Sequence, residues 1–195
     1  MRANGSKRTE TLVFAALLTA LVVVLQSMGN FVRFGPVAIS LVLMPIVVGA
    51  AVCGARIGAW LGLVFGFVVL VGGDAATYLV INPMGTVVTV LLKGVACGFC
   101  AGIAYKMFAH VNKYVAVVVA AVVCPVVNTG IFLLGSALFF WETLVGWAEG
   151  AGFGDSVVVF MIVGLVGINF VVELIVNIVL SPVIVRLLNF GRKIG

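Results

Sequence analysis

Residues 11–28 read TLVFAALLTALVVVLQSM and carry no charged side chain. A helix rises about 1.5 Å per residue, so a run of this length reaches across most of a hydrocarbon layer about 30 Å thick. Arg2, Lys7 and Arg8 precede it, the arrangement a cleaved signal peptide also has. The run is long for such a peptide and no A-x-A site follows it, so it reads as a retained membrane helix. The same apolar texture recurs along the chain, and the spacing predicts helices at about 10–29, 37–54, 57–72, 84–108, 114–140 and 157–187. Hydrophobic residues make up 64% of the 195 and charged residues only 9%. A soluble domain carries about 25% charged residues. The expected fold is therefore all-α: a single membrane domain over 1–195, a bundle of six transmembrane helices.

Turn chemistry separates the runs at Gly29-Asn30, Gly35-Pro36, Gly72-Gly73-Asp74, Asn82-Pro83 and the glycine-rich stretch Gly146–Gly154, with a tight turn near Ala55-Arg56. Charge then predicts orientation. With both termini in the cytoplasm, the inner side holds Arg2, Lys7, Arg8, Arg56, Lys106, Lys113, Arg186, Arg192 and Lys193, nine of the eleven basic residues. The outer side holds Arg33 with Asp74, Glu142, Glu149 and Asp155, which satisfies the positive-inside rule at every loop but one. Trp141 and Trp147 on the outer side suit an aromatic belt, or equally a lid over an outward-facing pocket.

Small residues four apart mark close helix contacts. Gly54, Gly58, Gly62 and Gly66 form one such stripe, and Gly94, Gly98 and Gly102 another. Ala16 and Ala20 make an AxxxA on the first helix, suited to an internal contact or to docking a second membrane subunit. Pro45 and Pro125 interrupt the second and fifth runs and are expected to bend them.

Polarity inside the apolar runs is confined to the C-terminal half. Lys93 and Glu173 sit near the middle of their helices, where a charge facing lipid costs about 2.5–3.5 kcal/mol or more. Both must face protein or a wet cavity, either paired with each other or meeting a polar ligand. Asn82 opens the fourth helix, Asn128-Thr129 follows the Pro125 kink, and Asn169 and Asn177 flank Glu173 by one turn each on a common face. The first three helices bring almost nothing polar inward, apart from Gln26 and Asn30 near the outer end of the first. Polar groups converging in an apolar surround are what small-molecule sites look like.

Other chemistry finds no footing. There is no GxxxxGK[ST] phosphate loop, HExxH, GxSxG or aspartate-rich prenyl-diphosphate motif, so no catalytic residues are assigned. Cys53, Cys97, Cys100 and Cys124 all lie in apolar runs, and the Cys97/Cys100 CxxC reads as packing; His110 lies near a loop, and no metal site or cofactor is expected. The basic residues form no block, which excludes a nucleic-acid surface. Two classes stay open: a solute-binding subunit that needs partners for uphill transport, and a non-transport membrane scaffold that docks a partner through helix one, with Lys93 and Glu173 a structural pair.

The chain resembles the substrate-binding S components of energy-coupling-factor (ECF) vitamin transporters. The size, the six spans and the alanine motif Ala16–Ala20 carry the resemblance, together with Phe34-Gly-Pro-Val-Ala-Ile-Ser40, Ile81-Asn-Pro83 leading to Leu92-Lys-Gly94, Val127-Asn-Thr-Gly130, and Asn169 to Glu173 followed by Leu180-Ser-Pro-Val-Ile184. These stretches look most like pantothenate-type S components. Those relatives usually place arginine where Lys93 stands, a departure that bears on the substrate more than on the family. The resemblance implies a vitamin bound from outside, under a lid made by the loops after helices one, three and five. It implies a transmembrane scaffold subunit docking at Ala16 and Ala20, two ATP-binding subunits, and residence in a prokaryotic cell membrane. On this reading Lys93 meets an anionic group of the vitamin, while Glu173, Asn169 and Asn128 orient Lys93 or accept hydrogen bonds. Asn82, Asp74 and Trp141 lie near the outer mouth. Pantothenate leads; riboflavin, folate, pyridoxine and cobalamin remain possible ligands.

Overall fold

The computed structural model describes residues 2–29, 33–34, 37–38 and 42–191. The breaks at Asn30 and Gly35-Pro36, parts of the stretch from Phe34 to Ser40, and the basic residues Arg192 and Lys193 lie outside the described residues. In chain order the elements are α1 (Arg2–Gly29), β1 (Arg33–Phe34), β2 (Val37–Ala38), α2 (Leu43–Cys53), α3 (Ala55–Val71), α4 (Ala76–Ile81), α5 (Pro83–Phe108), α6 (Lys113–Phe139), α7 (Trp141–Gly150), α8 (Val157–Val159), a π-helical segment (Phe160–Val166) and α9 (Gly167–Gly191). The protein is an all-α membrane protein. Thr9–Met28, Pro83–Phe108, Lys113–Phe139 and Asn169–Arg186 are long and apolar enough to cross a bilayer, and Leu43–Cys53, Ala55–Val71 and Val157–Val166 are shorter apolar helices. Their outward faces are apolar too: Leu17, Leu134, Leu138 and Val179 are exposed, a surface that hydrocarbon solvates and water does not.

Four expectations from sequence need correction. The second helix begins at Leu43, not at 37, because Val37–Ala38 pairs antiparallel with Arg33–Phe34. A short apolar run has no periodicity that separates strand from buried helix. Pro45 consequently falls in the first turn of α2 rather than interrupting it, where its missing N–H removes no intrahelical bond. The span expected at 157–187 is not one regular helix but α8, the π segment and α9 in succession. Finally, the glycine-rich stretch from Gly146 is largely the helix α7, whose Leu144 and Ala148, four residues apart, are both buried.

The glycine stripes explain how the bundle closes. A Cβ at Gly62 would run into the backbone of Gly94, one at Gly58 into the Gly98 carbonyl, and one at Gly66 would stand 2.9 Å from the Val90 carbonyl. As one number climbs the other falls, so α3 and α5 lie antiparallel with backbone against backbone. Side chains larger than hydrogen would force them apart. Gly54 connects α2 to α3 at φ +92°, a left-handed conformation open to glycine at little cost. α6 runs through Pro125 without ending. The main core joins Leu18 and Val22 of α1, Ile46 and Val47 of α2, Leu61 and Phe65 of α3, Ala101 of α5, Val117 of α6 and Ile184 of α9. A second, separate core gathers Phe140, Leu144, Ala148, Val157, Phe160 and Met161 around α7, α8 and the π segment.

Candidate ligand-binding site

Between the two cores lies a cavity of about 530 Å³, inside the range of roughly 300–1,000 Å³ that small-molecule sites occupy. α5 supplies one wall. Its N-terminus is set by Asn82, whose Oδ1 accepts the Gly85 N–H at 2.9 Å, with Pro83 at the first helical position. From there Thr86, Thr89 and Lys93, spaced three and four residues apart, present one polar stripe to the cavity. Thr86 donates to the Asn82 carbonyl at 2.7 Å. α6 adds Asn128, Thr129, Phe132 and Ser136; α9 adds Asn169, Phe170 and Glu173; and α3 adds Phe65 and Val69. The cavity reaches the surface beside exposed Gly73 and Asp74, where the Gln26 amide donates to Asp74 Oδ2 at 2.6 Å.

Lys93 is the centre of the site's electrostatics. Its ammonium lies 5.1 Å from the centroid of the Phe132 ring and 5.8 Å from that of Phe65. Ring quadrupoles stabilise a desolvated cation by about 2 kcal/mol or somewhat more, far less than water does. Glu173, only 4% exposed, attracts it through space. No hydrogen bond or ion pair joins the two among the described residues. Among the described residues the ammonium has no hydrogen-bond partner at all, which leaves its donors for something else. The same holds for Thr89 Oγ1, Asn128 Oδ1 and Asn169 Oδ1, all buried, all on cavity-lining residues, and all without a partner. An unsatisfied buried polar atom costs about 1–3 kcal/mol. Three of them around one cavity describe a site built for a ligand that brings hydrogen-bonding groups.

The structure brings together Lys93, Asn128, Asn169, Glu173 and Asp74, which all line the cavity. It does not bring Asn82 or Trp141 to it: the Asn82 side chain caps α5, and Trp141 opens α7 with 46% of its surface exposed. Asn177, on the Glu173 face of α9, turns away and donates to the Glu173 carbonyl at 2.9 Å. Thr86, Thr89, Phe65, Phe132 and Tyr78 line the cavity without having been singled out in the sequence. The threonines carried a signal, since their spacing from Lys93 is helical; the phenylalanines did not, because a cavity ring and a lipid-facing ring look alike. Burial raises the Tyr78 hydroxyl above its ordinary pKa, a shift partly offset by a side-chain hydrogen bond with Ser136, so the phenol stays neutral. A second, apolar trough of about 710 Å³ runs between α6 and α9 and offers no charged group.

A polar cavity holding a cation that no described residue pairs, inside a lipid-solvated bundle, fits a substrate-binding membrane subunit, and comparison with known families agrees. The family model described as "ECF transporter, substrate-specific component" matches residues 10–185. The chain belongs to this family. As an ECF substrate-specific component, it carries every polar side chain that lines the cavity, from Gln26 to Glu173, within the matched residues. Comparison with curated proteins gives no match, and comparison with solved structures gives none either.

Proposed function

We propose that this substrate-specific component captures a water-soluble vitamin from outside the cell and that pantothenate is the vitamin. The observation that carries the reading is Lys93, a cation at the cavity wall without an ion-pair partner among the described residues, beside unsatisfied oxygens of Thr89, Asn128 and Asn169. Pantothenate offers a carboxylate to the ammonium, and an amide and hydroxyl groups to the rest. Charge-assisted hydrogen bonds are about twice as strong as neutral ones, so the carboxylate end dominates affinity.

The delivery half of the function rests on α1. Ala16 and Ala20 are exposed, on the face opposite buried Ala15, Leu18 and Val22. This face docks the transmembrane scaffold subunit, and two ATP-binding subunits supply the energy. The chain crosses the cell membrane six times with both termini in the cytoplasm, the arrangement that its basic residues favour.

The test is binding of a vitamin panel (pantothenate, riboflavin, folate, pyridoxine, cobalamin) to detergent-purified protein, with Lys93→Ala and Asn128→Ala alongside. Pantothenate should bind at one per chain and both variants should weaken it. No binding of any panel member, or affinity unchanged from the parent in both variants, refutes the proposal.

A further inference from the structure

The polar groups of the cavity stand at two depths. α5 and α6 run antiparallel in a fixed register: a Cβ at Gly135 would run into the Thr89 side chain, and one at Gly85 into Phe139. Ser136 is therefore level with the turn from Thr86 to Thr89, while Asn128 lies below Lys93. At 1.5 Å of rise per residue, Asn128 and Ser136 are about 12 Å apart along α6, and Lys93 and Thr86 about 10 Å apart along α5. The inner level holds charge: Lys93, with Glu173 attracting it, beside Asn128. The outer level holds hydroxyls. Thr86 donates its proton to the Asn82 carbonyl. Ser136 and Tyr78 are hydrogen-bonded to each other, and two hydroxyls that share one bond keep one proton free to donate. Val69 and Phe140 add apolar surface there. Asp74, at the surface beyond, is engaged by the Gln26 amide. Midway, Thr89 and Asn169 each leave an oxygen unsatisfied.

We infer that the cavity takes its ligand in one orientation, anionic end inward at Lys93 and Asn128, hydroxyl-bearing apolar end outward at Ser136 and Tyr78, and that Ser136 selects for that outer hydroxyl. The ligand class is a hydroxy acid about 10 Å long, with a polar link midway to meet Thr89 and Asn169. The reverse placement sets a carboxylate against one shared hydroxyl proton and apolar side chains, and leaves the Lys93 ammonium facing an alcohol. Charge-assisted hydrogen bonds are about twice as strong as neutral ones, so the reverse placement loses. The orientation rests on the pantothenate reading and deepens it. That molecule carries a carboxylate at one end, an amide in the middle, and hydroxyls on either side of a dimethyl carbon at the other end.

The test is titration calorimetry of the purified full chain with three ligands: pantothenate, pantothenol (an alcohol in place of the carboxylate) and a deoxy analogue with hydrogen in place of the terminal hydroxyl. Ser136→Ala should weaken pantothenate and pantothenol alike, by about five- to tenfold, and leave the deoxy analogue within about twofold. Lys93→Met should weaken pantothenate and the deoxy analogue alike and leave pantothenol within about threefold. If Ser136→Ala is poorly folded by size-exclusion chromatography, Tyr78→Phe decides, since it keeps the ring and removes the shared hydroxyl. Unchanged pantothenate affinity in the variant that decides, or a deoxy analogue weakened as much as pantothenate, overturns the inference. If pantothenate does not bind the parent, the functional reading fails, and a vitamin-free arm decides the orientation. With Cys53, Cys97, Cys100 and Cys124 replaced by alanine, Asn128→Cys and Ser136→Cys are each modified by an anionic and by a neutral methanethiosulfonate. Lys93→Met should lower the anionic-to-neutral rate ratio about threefold at Asn128→Cys and less than about 1.5-fold at Ser136→Cys, because attraction to the ammonium falls with distance. An equal fall at both positions, or none at Asn128→Cys, overturns the inference.

Discussion

Replacing Gly62 by alanine adds one methyl group to α3, at the point where α3 and α5 touch backbone to backbone. The new Cβ would overlap the Gly94 carbonyl. No rotamer change relieves this overlap, because the obstructing atoms are main chain, so the helices must separate along the whole Gly58–Gly98, Gly62–Gly94 line. Overpacking a tight contact costs about 1–3 kcal/mol, and a rigid obstacle puts the cost at the upper end. Alanine regains about 0.5–1 kcal/mol over glycine in helix propensity, which leaves a net loss of about 2 kcal/mol. For a chain of this length that is a drop of roughly 4–8 °C in Tm. Two further variants set the scale. Gly66→Ala meets the Val90 carbonyl at 2.9 Å and should lose less, while Gly130→Ala meets nothing within 4 Å and should be neutral or slightly stabilising. Thermal unfolding of the detergent-purified series, followed by size-exclusion chromatography, gives the ranking. Gly62→Ala melting within about 1 °C of the parent, or Gly130→Ala falling as far as Gly62→Ala, refutes the close-contact reasoning.

Lys93→Met should weaken pantothenate binding by about ten- to a hundredfold by removing a charge-assisted hydrogen bond, whereas Lys93→Arg keeps the charge and should retain most of the affinity; titration calorimetry checks both. Ala16→Leu with Ala20→Leu should leave pantothenate affinity unchanged and abolish co-purification with the scaffold subunit, because the substituted face of α1 is exposed. Asn82→Ala removes the α5 cap and should cost about 1 kcal/mol of stability with no loss of affinity. A loss of affinity at unchanged stability would place Asn82 in the ligand site instead.

Much of this protein is legible in its sequence because lipid imposes simple rules. Uninterrupted apolar runs demand helices, since no water satisfies the backbone. The glycine stripes at Gly58–Gly66 and Gly94–Gly102 marked two close-contact faces, and the structure shows that they meet each other. Lys93, Asn128, Asn169 and Glu173 stood out because each is costly in hydrocarbon, and all four line one cavity. Asn82 misled for a physical reason: an asparagine before a proline caps a helix as readily as it binds a ligand, and only geometry separates the two. Trp141 sits at a helix start with its ring exposed, a placement no spacing rule predicts. Val37–Ala38 pairs as a strand with Arg33–Phe34 a few residues earlier, which apolarity alone does not reveal. Tyr78 was hidden in a segment read as a break, and its place at the cavity is fixed by rings distant in sequence, Phe132, Phe140 and Trp147.

The most direct test of the binding site is mass spectrometry of the small molecules that stay with the gently purified protein. The expected result is one anionic vitamin per chain, pantothenate first, lost when Lys93 is replaced by alanine. A vitamin retained equally by the parent and by Lys93→Ala, or no small molecule retained and none bound on addition, would contradict it.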